Sequence, residues 1–110
     1  MPASYEDANL VMQIVRWGQE MALPDAVMAV LGDGFDPETT ERDDPSVSKV
    51  LQFGEVVGTF VNQGVLDRGL ATDMWWIEGL WSRVAPTAGR QREHLGEPRL
   101  WENFEKLAGG

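Results

Sequence analysis

The 110-residue chain has no cysteine and a single histidine, His94. The first absence excludes disulfides, thiolate nucleophiles and sulfur-ligated zinc, and fits a reducing compartment. The second excludes a His-pair metal site and any triad that needs a second His or a Cys. Basic residues are scarce: nine Lys and Arg stand against eighteen Asp and Glu, for a net charge of −9. Such a chain repels phosphate backbones and anionic membranes, so no nucleic-acid or membrane partner is expected. Long apolar runs are missing too. Every run is broken by charge well short of the ~20 residues that cross a bilayer. The opening Met-Pro-Ala-Ser-Tyr-Glu-Asp has no basic region leading into an apolar one, so neither a signal peptide nor a membrane span is expected, and the expected location is cytoplasmic.

Catalytic signatures are equally sparse. The four serines, Ser4, Ser46, Ser48 and Ser82, lack a nucleophile-elbow context, and Gly32-Asp33-Gly34 lacks the further Gly and Lys of a phosphate-cradling loop. Gln91 occupies the position three before His94 where a helical carboxylate-metal site would need Glu. In the acidic stretch 33–44, Asp33, Asp36 and Glu38 miss the ligand alternation of a calcium loop, and Pro37 stiffens its middle. The expectation is a protein that is not an enzyme and that uses no cofactor or metal.

What is present is material for a helical core: 43% hydrophobic residues, with five Trp, four Phe and one Tyr. One domain is the default at this length. Ser4 and Asp7 form a capping-box spacing, predicting a helix from about Tyr5 whose Leu10, Val11, Ile14, Val15 and Trp17 share a wide apolar face. Pro24 suits the first turn of a short second helix ending at Gly32. Residues 33–44, with six acids, read as a solvated loop and the most mobile part of the domain. Asp44 and Pro45 start a third helix that runs to Asn62-Gln63-Gly64. Asp67 starts a fourth, whose stripe Leu70, Met74, Ile77, Leu80, Trp81 and Val84 is continuous up to Pro86. A polar segment from Thr87 to Leu95 and a last helix from Pro98 complete an all-α bundle of five to six short helices, without strand-period alternation.

Phe53-Gly54-Glu55-Val56-Val57-Gly58, Gly64-Val65-Leu66-Asp67, the Trp-rich stretch at Trp75, Trp76 and Trp81, Pro86 with Arg90 and Arg92, and the closing Pro98, Leu100-Trp101, Phe104-Glu105 and Leu107-Ala108 together resemble an uncharacterised, mostly bacterial family classed as a domain of unknown function. The resemblance covers residues 53–108. It implies an all-helical domain without an established catalytic motif. Members of that family often carry an N-terminal membrane-spanning helix, which this sequence does not show, so no membrane-linked role carries over.

Four residues are candidates for an interaction surface. Gly54 and Gly58 lie on one face of the third helix, where two interior glycines imply close approach of another backbone, either a helix of the same chain or a second copy. Glu55, beside them, is expected to pair with Arg83, Arg90 or Arg92. Trp75 points away from the stripe of its helix, where it either closes a second contact within the domain or marks a partner surface, and Trp76 at the stripe's edge suits either arrangement. The expected role is a non-enzymatic interaction or structural module, with a homodimer through the Gly54 and Gly58 face or the Trp75 side as its self-associating form. The alternative is a pocket lined by Trp and Arg for an anionic ligand, with Arg90, Arg92 and Arg99 as its candidates.

Overall fold

The computed structural model describes residues 2–109, and among them every regular element is an α-helix. The six are α1 (Tyr5–Glu20), α2 (Leu23–Leu31), α3 (Pro45–Asn62), α4 (Arg68–Met74), α5 (Ile77–Leu95) and α6 (Glu102–Leu107). Among the described residues, no helix is long and apolar enough to cross a membrane.

The expected caps form. Asp7 N–H donates to Ser4 Oγ and Ser4 N–H to Asp7 Oδ2, the reciprocal pair of a capping box. Asp44 accepts from Val47 N–H and Asp67 from Leu70 N–H, each satisfying an amide that has no partner inside its own helix. α3 is the hub. Its Val47, Val50, Leu51, Phe53 and Val57 are sealed from solvent, and it touches α2, α4, α5 and α6.

Three boundaries differ from the sequence reading. The helix expected from Asp67 to Pro86 is broken after Met74, because Trp75 leaves helical geometry at φ −129° and ψ 143°. The break turns Trp75 inward onto Phe53, edge to face at 5.2 Å, an arrangement favoured by the ring quadrupoles. α5 then runs through Pro86 to Gly96, so the separate fifth segment does not exist. Pro86 removes one backbone bond but Thr87 and Ala88, just beyond it, are fully buried, and their packing outweighs the loss. The last helix starts at Glu102 and not Pro98, because Trp101 takes a left-handed conformation at φ 64° that stops helical winding before it.

α1 is tied to the rest of the domain at both ends. At its C-terminus Leu23 packs on Gly18, and at its N-terminus the Asp67 amide donates to Asp7 Oδ1 at 2.9 Å. Asp7 therefore accepts from two separate elements. The Ser4 amide, then the Asp67 amide and the Ser4 hydroxyl, hold its carboxyl below the ordinary aspartate value. A carboxyl depressed in the folded state contributes stability above its unfolded pKa and loses it as pH falls through the folded value. Protection of the Ser4 and Asp67 amides against hydrogen exchange, taken relative to the intrinsic rate at each pH, is thus expected to fall selectively as pH drops below the usual aspartate range. In Asp7→Ala that pH dependence should be gone, and its persistence there would remove Asp7 as the cause.

Candidate functional site

The glycine pair on α3 faces α6. A Cβ at Gly54 would fall inside the Phe104 ring, and one at Gly58 would collide with the backbone carbonyl of Asn103. The alternative left open by the sequence is thereby decided: the crossing partner is a helix of the same chain. The Gly54 and Gly58 face is covered and does not form a surface for a second copy. Glu55, between them, makes none of the expected arginine pairs. Its Oε1 accepts from the Asn103 and Phe104 amides, both at 3.0 Å, and its Oε2 from Asn103 Nδ2 at 2.9 Å. These are the second and third amides of α6, the groups a cap residue normally satisfies. Trp101 occupies the cap position without a side-chain acceptor, and Glu55 supplies one from across the interface, with the sign that suits a helix N-terminus. Asn62 adds two bonds to the Asn103 carbonyl and side chain.

Trp75 and Trp76 part company at the α4–α5 corner. Trp75 is half-buried against Phe53, which is the intrachain alternative of the sequence reading. Trp76 is 66% exposed; Met74, 49% exposed, lines a different depression, with Ile14, Leu23, Phe53 and Trp75. The Trp76 indole lies against Gly79, where any Cβ would strike the ring. Glycine thus provides a shelf on which the exposed aromatic rests. Asp73 and Glu78 flank the corner in solvent, and a depression of about 220 Å³ lined by Arg68, Thr72, Trp75, Leu107 and Ala108 opens next to the ring.

The three candidate anion-binding arginines do not converge. Arg90 donates to the Pro37 and Thr40 carbonyls and to Thr87 Oγ1. Arg92 donates to the Leu100 carbonyl and pairs with Glu105 at 3.0 Å. Arg99 pairs with Glu102 at 2.8 Å, and that hydrogen bond is the main reason the Glu102 carboxyl sits below its ordinary value. Each guanidinium is committed to a partner of its own, so no anion pocket is built from them. Arg90 works with Arg83, which donates to the Val30, Gly32 and Phe35 carbonyls and lies over the Phe35 ring, so that it closes the C-terminal end of α2 from α5. Gln91 adds a bond to the Arg42 carbonyl at 2.6 Å. The acidic loop expected to be the most mobile part is thereby held along its length by α5 side chains that reach its backbone.

A cleft of about 520 Å³ separates that loop from the turn before α6, with Glu41, Arg42 and Asp43 on one side, Leu100 and Trp101 on the other, and Gln91, His94 and Leu95 of α5 as its floor. Sequence reasoning passed over Gly79 and met Gln91 only as the residue standing where a metal site would need Glu. The spacing of Gly79, three after Trp76, could have pointed to the shelf, since residues three apart share a helix face. Nothing local could have indicated the left-handed Trp101.

The family match covers residues 19–110, and the chain belongs to the family described as a domain of unknown function, DUF4760. The match extends the resemblance seen from Phe53 onward back to Gln19 and leaves nearly all of α1 outside. No curated protein and no solved structure matches the chain.

The α3–α6 contact sets clear expectations for urea unfolding. Gly58→Ala should destabilise the domain by about 3 kcal/mol, since its collision is with backbone, and Glu55→Ala by about 2–3 kcal/mol through loss of charge-assisted capping bonds. Gly89→Ala, at an open position of α5, should instead stabilise it by about 0.5–1 kcal/mol. Equal effects at Gly58 and Gly89 would refute the close-approach reading.

Proposed function

We propose that this member of the family is a non-enzymatic protein-interaction module that grips a partner protein with the Trp76 corner of α4 and α5. The observation that carries the reading is the Gly79 shelf: an indole two-thirds exposed, seated against the helix where a residue without a side chain makes room for it. Exposed tryptophans dominate binding energy at protein interfaces, and a ring already ordered loses little conformational freedom on docking. Asp73 and Glu78 at the rim, on a chain of net charge −9, select a partner that surrounds an apolar pocket with Lys and Arg. The same charges oppose a second copy, which would bring its own Asp73 and Glu78 to the contact. An anionic ligand finds no converging cation, since Arg90, Arg92 and Arg99 are spent within the chain.

Selection of displayed random peptides on the wild-type chain tests this. The recovered peptides are expected to combine basic and apolar side chains and to lose at least about tenfold in affinity against Trp76→Ala, with helicity unchanged by circular dichroism. Recovered peptides that bind Trp76→Ala equally well would sink the proposal. Light scattering behind size exclusion covers the other occupant: a dimer that Trp76→Ala splits would replace the hetero-partner with a second copy.

A further inference from the structure

The cleft between the acidic loop and the turn before α6 is unrelated to the Trp76 corner, and its construction is more deliberate than its size. Gln91 brackets it. The side-chain amide of Gln91 donates to the Arg42 carbonyl on one wall at 2.6 Å, and its oxygen accepts from the Trp101 indole N–H on the other at 2.7 Å. One α5 side chain therefore fixes the spacing of both walls. Trp101 is held there in a left-handed backbone conformation, φ 64°, that costs a non-glycine residue of order 1–2 kcal/mol. Strain of this kind collects at functional sites.

The chemistry of the lining selects a ligand class. Leu100 and Trp101 offer apolar and aromatic surface, and with its N–H already bonded to Gln91 the indole has its π-system left for recognition. Glu41 and Asp43 face them across the cleft, and neither carboxylate accepts a hydrogen bond or ion pair from any described residue. Arg42 sets one positive charge against these two, and of the other loop charges Asp33, Asp36, Glu38 and Asp44 are set against Arg83 and Arg90 docked on the loop backbone, so the balance at the cleft stays negative. A volume of about 520 Å³ falls in the range of small-molecule sites.

We infer that this cleft binds small organic cations, primary amines or amidines carried on a flat apolar body, with the cation between Glu41 and Asp43 and the body against Leu100 and Trp101. The charge preference is opposite to that of the anion pocket suggested by the arginine-rich C-terminal sequence.

The test is a two-dimensional amide NMR titration of the full chain with three isosteric probes: benzylamine, benzyl alcohol and benzoate. Benzylamine should shift the Trp101 indole and Gln91 side-chain resonances together with the amides of residues 41–43, whereas benzyl alcohol and benzoate should leave them in place or bind at least about fivefold more weakly. The double variant Glu41→Gln, Asp43→Asn changes only exposed side chains and leaves the fold standing. It should lower benzylamine affinity about fivefold while the Trp101 and Gln91 resonances keep their free positions. Three results would overturn the inference: no shift with benzylamine at millimolar concentration, a preference for benzoate, or a benzylamine affinity indifferent to the double variant. The Trp76→Ala chain should bind benzylamine as the wild type does, so failure here and failure of the interaction reading are separate results.

Discussion

The Glu55 carboxylate sits where two problems of the fold meet. α6 has six residues, fewer than the ~12–15 at which a helix begins to hold in water without tertiary support. Its cap residue is a tryptophan in a left-handed conformation with no acceptor to offer. One side chain from α3 answers both by accepting from the second and third amides of α6 and anchoring it to the hub helix. Gly54 and Gly58 let the two backbones come close enough for that reach, and Phe104 and Leu107 then close the core. Trp81 packs edge to face on Phe104 at 5.1 Å, so α5 is seated by the same docking event. Without the carboxylate, α6 loses the acceptor for its second and third amides and is left to the Asn62 and Arg68 bonds and the burial of Phe104 and Leu107.

The basic residues of the C-terminal half perform a related service for the acidic loop. Arg83 and Arg90 reach backbone carbonyls and leave the carboxylates alone. A carbonyl is a fixed target whose geometry the fold controls, whereas an exposed carboxylate on a long side chain returns little in water. The loop is thus shaped by cations while its acids, apart from the cap Asp44, stay exposed, which is why so strongly charged a segment can wall a cleft. Gln91 extends the arrangement to Trp101, joining the loop and the α6 turn through one neutral side chain.

Much of this was legible beforehand. Caps at Ser4, Asp44 and Asp67, the close approach at Gly54 and Gly58 and the all-helical class follow from spacing and short-range chemistry. The misplaced boundaries share one cause. Pro86 is a strong local breaker, and the stripe from Leu70 to Val84 is a strong local signal for continuity, yet tertiary packing overrides both: Phe53 draws Trp75 out of the helix, and the buried Thr87 and Ala88 carry α5 past the proline. The glycine pair announced a close approach without naming the partner, because the answer lay some forty-five residues away in Phe104. Arg83 and Arg90 dock on the acidic loop through its carbonyls, a target that side-chain charge does not reveal.

Gly54-Glu55-x-x-Gly58 and Trp101-Glu102-Asn103-Phe104 are two halves of a single contact separated by a long stretch of chain. Neither is a sensible sequence alone: two glycines weaken a helix that nothing approaches, and an uncapped six-residue segment with a buried Phe is a sticky tail. Inheritance therefore has to treat them as one character. Among descendants of such a gene, a side chain acquired at Gly54 demands a smaller residue at Phe104, and loss of Glu55 demands a new acceptor at Trp101, so the two words should drift in step or not at all.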